Sequence, residues 1–132
     1  MGTVIGSVDH RRRPLVRIER VDDSEGFLAL LDTGFNGEIF VAIADVERLG
    51  FRLRSGYSTV EIASGQMLTV QRGDAEVMWL GERRRVEIFV STAPPPARKA
   101  DDPVALLGTK LLWPNLLFID FATGIIEIEG SE

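Results

Sequence analysis

Apolar and polar positions along the chain change over in short runs, and the runs have mostly the two-residue period of strands. Thr3, Val4 and Ile5 begin a strand over residues 3–8, and a charged turn follows over residues 9–13. Leu15-Val16-Arg17-Ile18-Glu19-Arg20-Val21 alternates apolar and charged side chains, the pattern of a half-exposed strand. Phe27-Leu28-Ala29-Leu30-Leu31 is apolar at every position, which predicts a strand buried on both faces. Further strands are expected over residues 38–41, 57–63, 66–70, 75–80, 86–90, 116–120 and 125–128. Ser64-Gly65 joins two of them as a tight hairpin, a polar turn at residues 81–85 joins two more, and Ala122-Thr123-Gly124 joins the last pair. Only one stretch has helical spacing. Ile43, Val46 and Leu49 share a face across about two turns, and Gly50 stops them. Val104-Ala105-Leu106-Leu107 is a second apolar run ending in glycine, and the helical turn after it, Lys110-Leu111-Leu112, ends before Pro114.

Composition narrows the function classes. With 132 residues, 45% hydrophobic and 27% charged, the chain reads as a single domain, 1–132, able to bury its own core. Thirteen glycines and six prolines agree with many turns. The net charge of −5 argues against nucleic acid as a partner. The absence of cysteine excludes thiolate chemistry and disulfides and fits a reducing, cytoplasmic setting. A lone His10 beside three arginines excludes a histidine-rich metal site and a Ser-His triad. No apolar run approaches the roughly 18 residues of a membrane span, and residues 1–7 lack the apolar stretch of a signal peptide. The expectation is no membrane, no metal and no cofactor.

Asp32 is where candidate chemistry enters. It directly follows the apolar run and opens Asp32-Thr33-Gly34, with Gly37 completing a sharp turn. A carboxylate carried by a rigid strand to the edge of the core needs a partner. The chain holds one such triplet, so a carboxylate pair requires a second copy of the chain.

The order of apolar strand, Asp-Thr-Gly, strand, short helix, hairpin, strands, Leu-Leu-Gly and helical turn resembles the retropepsin-like aspartic proteases, in particular their small prokaryotic members. The motifs that carry the resemblance are residues 31–37, the hairpin tip Ala63-Ser64-Gly65-Gln66 and residues 106–112. It implies an all-β, mainly antiparallel closed barrel with one short helix and a C-terminal helical turn. It also implies a homodimeric aspartic endopeptidase in which each subunit supplies Asp32. Two carboxylates about 3 Å apart share one proton. The ionised one activates a water, and the protonated one hydrogen-bonds the scissile carbonyl. Thr33 and Gly34 would support the loop, Thr33 by a hydrogen bond across the dimer. Asn36, Ala63, Ser64, Gly65 and Gln66 would bind substrate, the hairpin acting as a flap. Leu106, Leu107 and Gly108 would brace the Asp32 loop. Phe35 has two readings, a wall of the substrate pocket or a core contact. Phe35, Asn36, Thr109 and Lys110 depart from the residues usual in relatives, and the flap tip is less glycine-rich than viral flaps.

The same fold also admits a non-catalytic module that binds peptide or dimerises. An RNA-associated protein with basic turns is weaker, given the net charge. Trp79 and Trp113 read as packing residues, and Arg11-Arg12-Arg13 and Arg83-Arg84-Arg85 as solvated turns. Asp22, Asp23 and Glu25 fit no EF-hand spacing. Asp120 begins a hairpin turn and reads as structural.

Overall fold

A computed structural model describes residues 2–22, 25–61, 64–93 and 97–131. The described residues form ten strands and two single-turn helices. They are β1 (Thr3–Val8), β2 (Pro14–Arg20), β3 (Phe27–Leu31), β4 (Ile39–Ala42), α1 (Ile43–Val46) and β5 (Arg52–Glu61), then β6 (Met67–Trp79), β7 (Glu82–Ser91), β8 (Ala105–Leu107), α2 (Thr109–Leu112), β9 (Leu116–Asp120) and β10 (Ile125–Glu129). The sheet order is β5-β6-β7-β4-β8-β3-β2-β1-β10-β9. A further pairing of Glu19 with Met78 and Arg20 with Val77 brings β6 back to β2. Six strands, β2-β3-β8-β4-β7-β6, therefore close into a barrel. β5 and β9 remain the outer strands of the sheet. Most pairs are antiparallel; β3–β8 and β4–β7 are parallel.

Strand alternation builds the core. Val16, Ile18, Ala29, Leu31, Ile39, Val41, Val77, Ile88, Val90 and Leu107 all point inward and are buried. Ile126 and Ile128 of β10 and Leu111 of α2 join the same cluster. Outside it, Ile5, Leu116, Phe118 and Ile125 occupy the opposite, solvent-facing side of β1, β9 and β10. Among the described residues no helix is long and apolar enough to cross a membrane.

Several local expectations change. β3 is not buried on both faces: Phe27, Ala29 and Leu31 are buried, while Leu28 and Leu30 are half-buried. A barrel strand has one inner face, and a continuous apolar run does not require a layer over the other. Residues 66–70 and 75–80 are parts of one strand, β6. The polar residues between them are not a break: Arg72 and Asp74 take part in ion pairs with Glu87, Arg54 and Arg85 on β5 and β7. A Cβ at Gly73 would lie 2.5 Å from the Arg52 carbonyl oxygen, so glycine permits the close approach of β5. β5 itself begins at Arg52, ahead of the expected start at Tyr57, and is irregular between Leu53 and Tyr57. The turn expected at residues 81–85 is only Leu80-Gly81, both at positive φ (55° and 82°), and Arg83, Arg84 and Arg85 lie on β7. Two-residue hairpin turns favour that conformation because it matches strand twist. The helix at Ile43 makes one turn before continuing as turns to Gly50, which stops it at φ 72°.

Trp79 is in the core, whereas Trp113 is 75% exposed. α2 buries Leu111 and Leu112, and the backbone turns extended at Trp113, which carries its side chain off the buried side. Carboxylates pair with most arginines of the two runs, although Arg11, Arg83 and Arg85 keep exposed side chains. Arg13 pairs with Asp9 and Asp102, and Arg83, Arg84 and Arg85 pair with Glu76, Glu38 and Asp74. Asp120 accepts from the Ala122 and Thr123 amides and closes the last hairpin, the structural role expected of it.

Asp45 shows how a buried acid is held. It is 3% exposed, and its Oδ1 accepts from Arg48 at 2.7 Å and Arg98 at 2.8 Å. Burial pushes its carboxyl up, but the hydrogen bonds and charges of Arg98 and Arg48 outweigh burial and hold it below the ordinary 3.8. Glu87 is likewise raised by burial and lowered further by Arg72 and Arg54, to below 4.5. A depressed folded value means that the contribution to stability is complete above the ordinary value and is lost as pH falls through and below it. The thermal midpoint is therefore expected to fall on acidification below about pH 5. Arg98→Ala should lower stability by about 1–3 kcal/mol at neutral pH and flatten the acid limb. Calorimetry of both proteins across pH 3–7 checks this; parallel acid limbs would remove Arg98 from the account.

Candidate active site

The seven residues from Asp32 to Glu38 link β3 to β4, and their backbone is tied down along its length. The Asp32 amide donates to the Leu107 carbonyl at 3.0 Å, and the Phe35 amide donates to the Asp32 carbonyl at 3.1 Å. In return, the Phe35 carbonyl accepts from the Thr109 amide at 2.9 Å and the Thr109 hydroxyl at 3.3 Å. The Gly108 amide donates to the Glu38 carbonyl at 3.0 Å and the Lys110 amide to the Gly37 carbonyl at 3.2 Å. Parallel pairing of Leu31 with Leu107 delivers both segments to the same end of the barrel. Leu107 and Gly108 thus lie against the Asp32 loop, and Leu106 pairs with Leu30 two residues before Asp32.

Sterics explain the glycines. A Cβ at Gly108 would collide with the Gly37 carbonyl and lie 2.6 Å from Phe35 Cδ2; one at Gly37 would lie 2.5 Å from Phe35 Cζ. Phe35 is 1% exposed and meets Phe40 and Phe89 edge to face, at centroid distances of 5.8 and 6.0 Å. Of its two readings, the core contact is the one the packing displays. A ligand would meet neighbouring residues before this ring.

The Asp32 carboxylate is half-buried, and its Oδ1 accepts from the Gly34 amide at 2.9 Å. Gly34 thus brings its N–H to the carboxylate. No basic side chain of the described residues forms an ion pair with Asp32, in contrast to Asp9, Glu38, Asp45, Asp74, Glu87 and Asp102. Thr33, Gly34 and Asn36 are exposed. Among the described residues no group of acidic, histidine or cysteine side chains could hold a metal.

The hairpin tip is a separate feature. Ser64, Gly65 and Gln66 are exposed between β5 and β6, Gly65 at φ 82°, and the Gln66 amide donates to the Ser64 hydroxyl at 3.4 Å. Ala63 lies outside the described residues. No hydrogen bond or ion pair among the described residues joins this tip to the Asp32 loop.

Two further features escape sequence reasoning. Strand register aligns Leu30, Leu106, Phe40 and Phe89 in one half-buried row across β3, β8, β4 and β7, running from beside the Asp32 loop to Arg72 on β6. A cavity of about 220 Å³ on this shelf is lined by Phe40, Ala42, Pro103, Val104, Leu106 and Arg98 among others. Alternation marks each of these residues only as the off-core member of its own strand; register alone aligns them. The second feature is Glu38, 6% exposed, whose signal was a carboxylate heading an apolar strand immediately after the glycine turn. Larger cavities, of about 400 and 410 Å³, lie against Arg20 and Arg52 and against Arg17 and Trp79. None of the three cavities is lined by residues 32–37.

No protein-family model, curated protein or solved structure matches the chain.

Proposed function

We propose that the protein is a homodimeric aspartic endopeptidase of retropepsin-like type, each subunit contributing Asp32 to one shared site. The observation that carries this reading is Asp32 itself, half-buried and with no cationic partner among the described residues, at the start of a loop braced by β8 and α2. The loop backbone is held firmly while the carboxylate keeps an exposed side on which a second carboxylate can approach. Thr33 and Gly34 are exposed although their loop is rigidly seated, which suits a surface completed by a second copy. The three cavities named above lie away from the loop, which suits a cleft completed by a second copy. The apolar row from Leu30 to Phe89 offers apolar side chains of an extended peptide a place beside the carboxylate.

In the dimer, two Asp32 carboxylates share one proton because like charges at close range resist joint ionisation. The ionised carboxylate takes a proton from water as its oxygen attacks the scissile carbonyl carbon. The protonated one hydrogen-bonds the carbonyl oxygen where negative charge develops. Collapse of the tetrahedral species breaks the C–N bond, and the leaving amine takes a proton from the pair. No covalent enzyme intermediate is formed.

Subunit dilution tests the shared site. Turnover of an unbiased peptide library should fall faster than linearly with enzyme concentration once the dimer dissociates. The same fall should appear in the dimer fraction by sedimentation. Linear turnover from a strict monomer would end this reading, and saturable peptide binding without turnover would favour the non-catalytic module.

A further inference from the structure

We propose that Glu38 is a positioning residue that locks the Asp32 loop onto the barrel wall; this rests on the reading of Asp32 as catalytic. Glu38 is the last residue of the loop, and parallel pairing of Ile39 with Ile88 places it beside Glu87. Its side chain is buried and both oxygens are engaged. Oε1 accepts from the Glu87 amide at 2.9 Å and Oε2 from Arg84 at 2.8 Å. Its backbone carbonyl accepts from the Gly108 amide at 3.0 Å. One residue therefore ties the end of the loop to β7 by its side chain and to the β8–α2 junction by its main chain.

A buried carboxylate costs desolvation, and an apolar residue would fill the same place more cheaply if packing were the only need. Glu38 instead supplies two directional bonds at the point where the loop must stop moving. The neighbouring Glu87 keeps its own cations, Arg54 and Arg72, contributed by the two strands of the β5–β6 hairpin. Arg84 is thus the cation assigned to Glu38, and the chain Arg54/Arg72–Glu87–Glu38 runs from the base of the hairpin to the Asp32 loop. A carboxylate pair tolerates little misplacement of either member, so slack at Glu38 should act on Asp32 although the two side chains do not touch.

The test is amide hydrogen exchange on the full chain, with peptide kinetics beside it. Glu38→Ala should speed exchange at the Asp32, Phe35 and Gly108 amides by about tenfold or more, while amides in the β1–β10 pairing keep their wild-type rates. Glu38→Gln retains an acceptor for the Glu87 amide and should show a smaller effect; Arg84→Ala should resemble it. In the kinetics, kcat should fall with KM little changed. Unchanged loop protection in all three variants would overturn the proposal. So would faster exchange everywhere in proportion, the mark of a merely structural residue. Should the wild-type protein cleave nothing, the protease reading fails while the exchange data still decide whether Glu38 locks the loop. If Glu38→Ala does not fold, Glu38→Gln and Arg84→Ala decide it alone.

Discussion

Asp32→Asn is expected to abolish peptide cleavage while leaving the barrel intact. Asparagine has the same shape, and its Oδ1 can still accept from the Gly34 amide, which Asp32 receives at 2.9 Å. No ion pair is lost, since the described residues give Asp32 none. The stability change should therefore stay within about 1 kcal/mol. Chemistry suffers far more. An amide cannot take the proton of the attacking water, and because both subunits carry the substitution, no carboxylic acid is left to hydrogen-bond the scissile carbonyl. Loss of general acid–base catalysis predicts a fall in kcat/KM of about 10³-fold or more. Mass-spectrometric progress curves on a peptide library, paired with urea denaturation of both proteins, measure the two sides. Cleavage at wild-type rate by the variant would remove Asp32 from the mechanism. Unfolding of the variant would instead show the carboxylate to be structural.

Phe35→Ala should give the largest loss of stability. The ring is fully enclosed and contacts two other aromatic rings edge to face, with interplanar angles of 77° and 74°. Gly37 and Gly108 are both moulded around it. Truncation removes the buried ring and leaves a void whose walls include rigid backbone, so it can relax little. A cost of about 3–5 kcal/mol is expected. That is a large part of the 5–15 kcal/mol typical of a domain. Phe35→Leu should cost distinctly less, because it refills much of the volume. Urea denaturation midpoints of the three proteins decide the point. A loss below 1 kcal/mol for the alanine variant would show that the ring is not a packing centre. The effect on function should follow the same loop, because the Phe35 carbonyl is the acceptor that seats Thr109.

These two predictions concern residues three apart, and their legibility in the sequence differs. Asp32 stands out because a single acid after an apolar run breaks a pattern that local reading detects. Phe35 stayed open between pocket and core, since a phenylalanine in a glycine-rich turn is apolar in either place; Phe40 and Phe89 come from β4 and β7 to settle its packing. Glu38 looked like the first residue of a strand, and nothing near it in sequence announces Arg84. The polar segment Gln71-Arg72-Gly73-Asp74 looked like an interruption because its counter-charges, Glu87, Arg54 and Arg85, sit on neighbouring strands.

By itself the sequence determined the limits of β1 to β4, β9 and β10 to within a residue or so and the positions of the glycine turns, while it split β6 in two and left β8 as an apolar run. Side-chain alternation and turn conformation depend on residues a few positions apart. It also singled out Asp32. Tertiary structure alone decided closure of the barrel through β2 and β6, the seating of the Asp32 loop on Leu107, Gly108 and Thr109, and the alignment of Leu30, Leu106, Phe40 and Phe89 into one shelf. Each of these is a pairing between distant segments. Strand register sets which side chains meet, and register follows from how all the inward faces fill one common core.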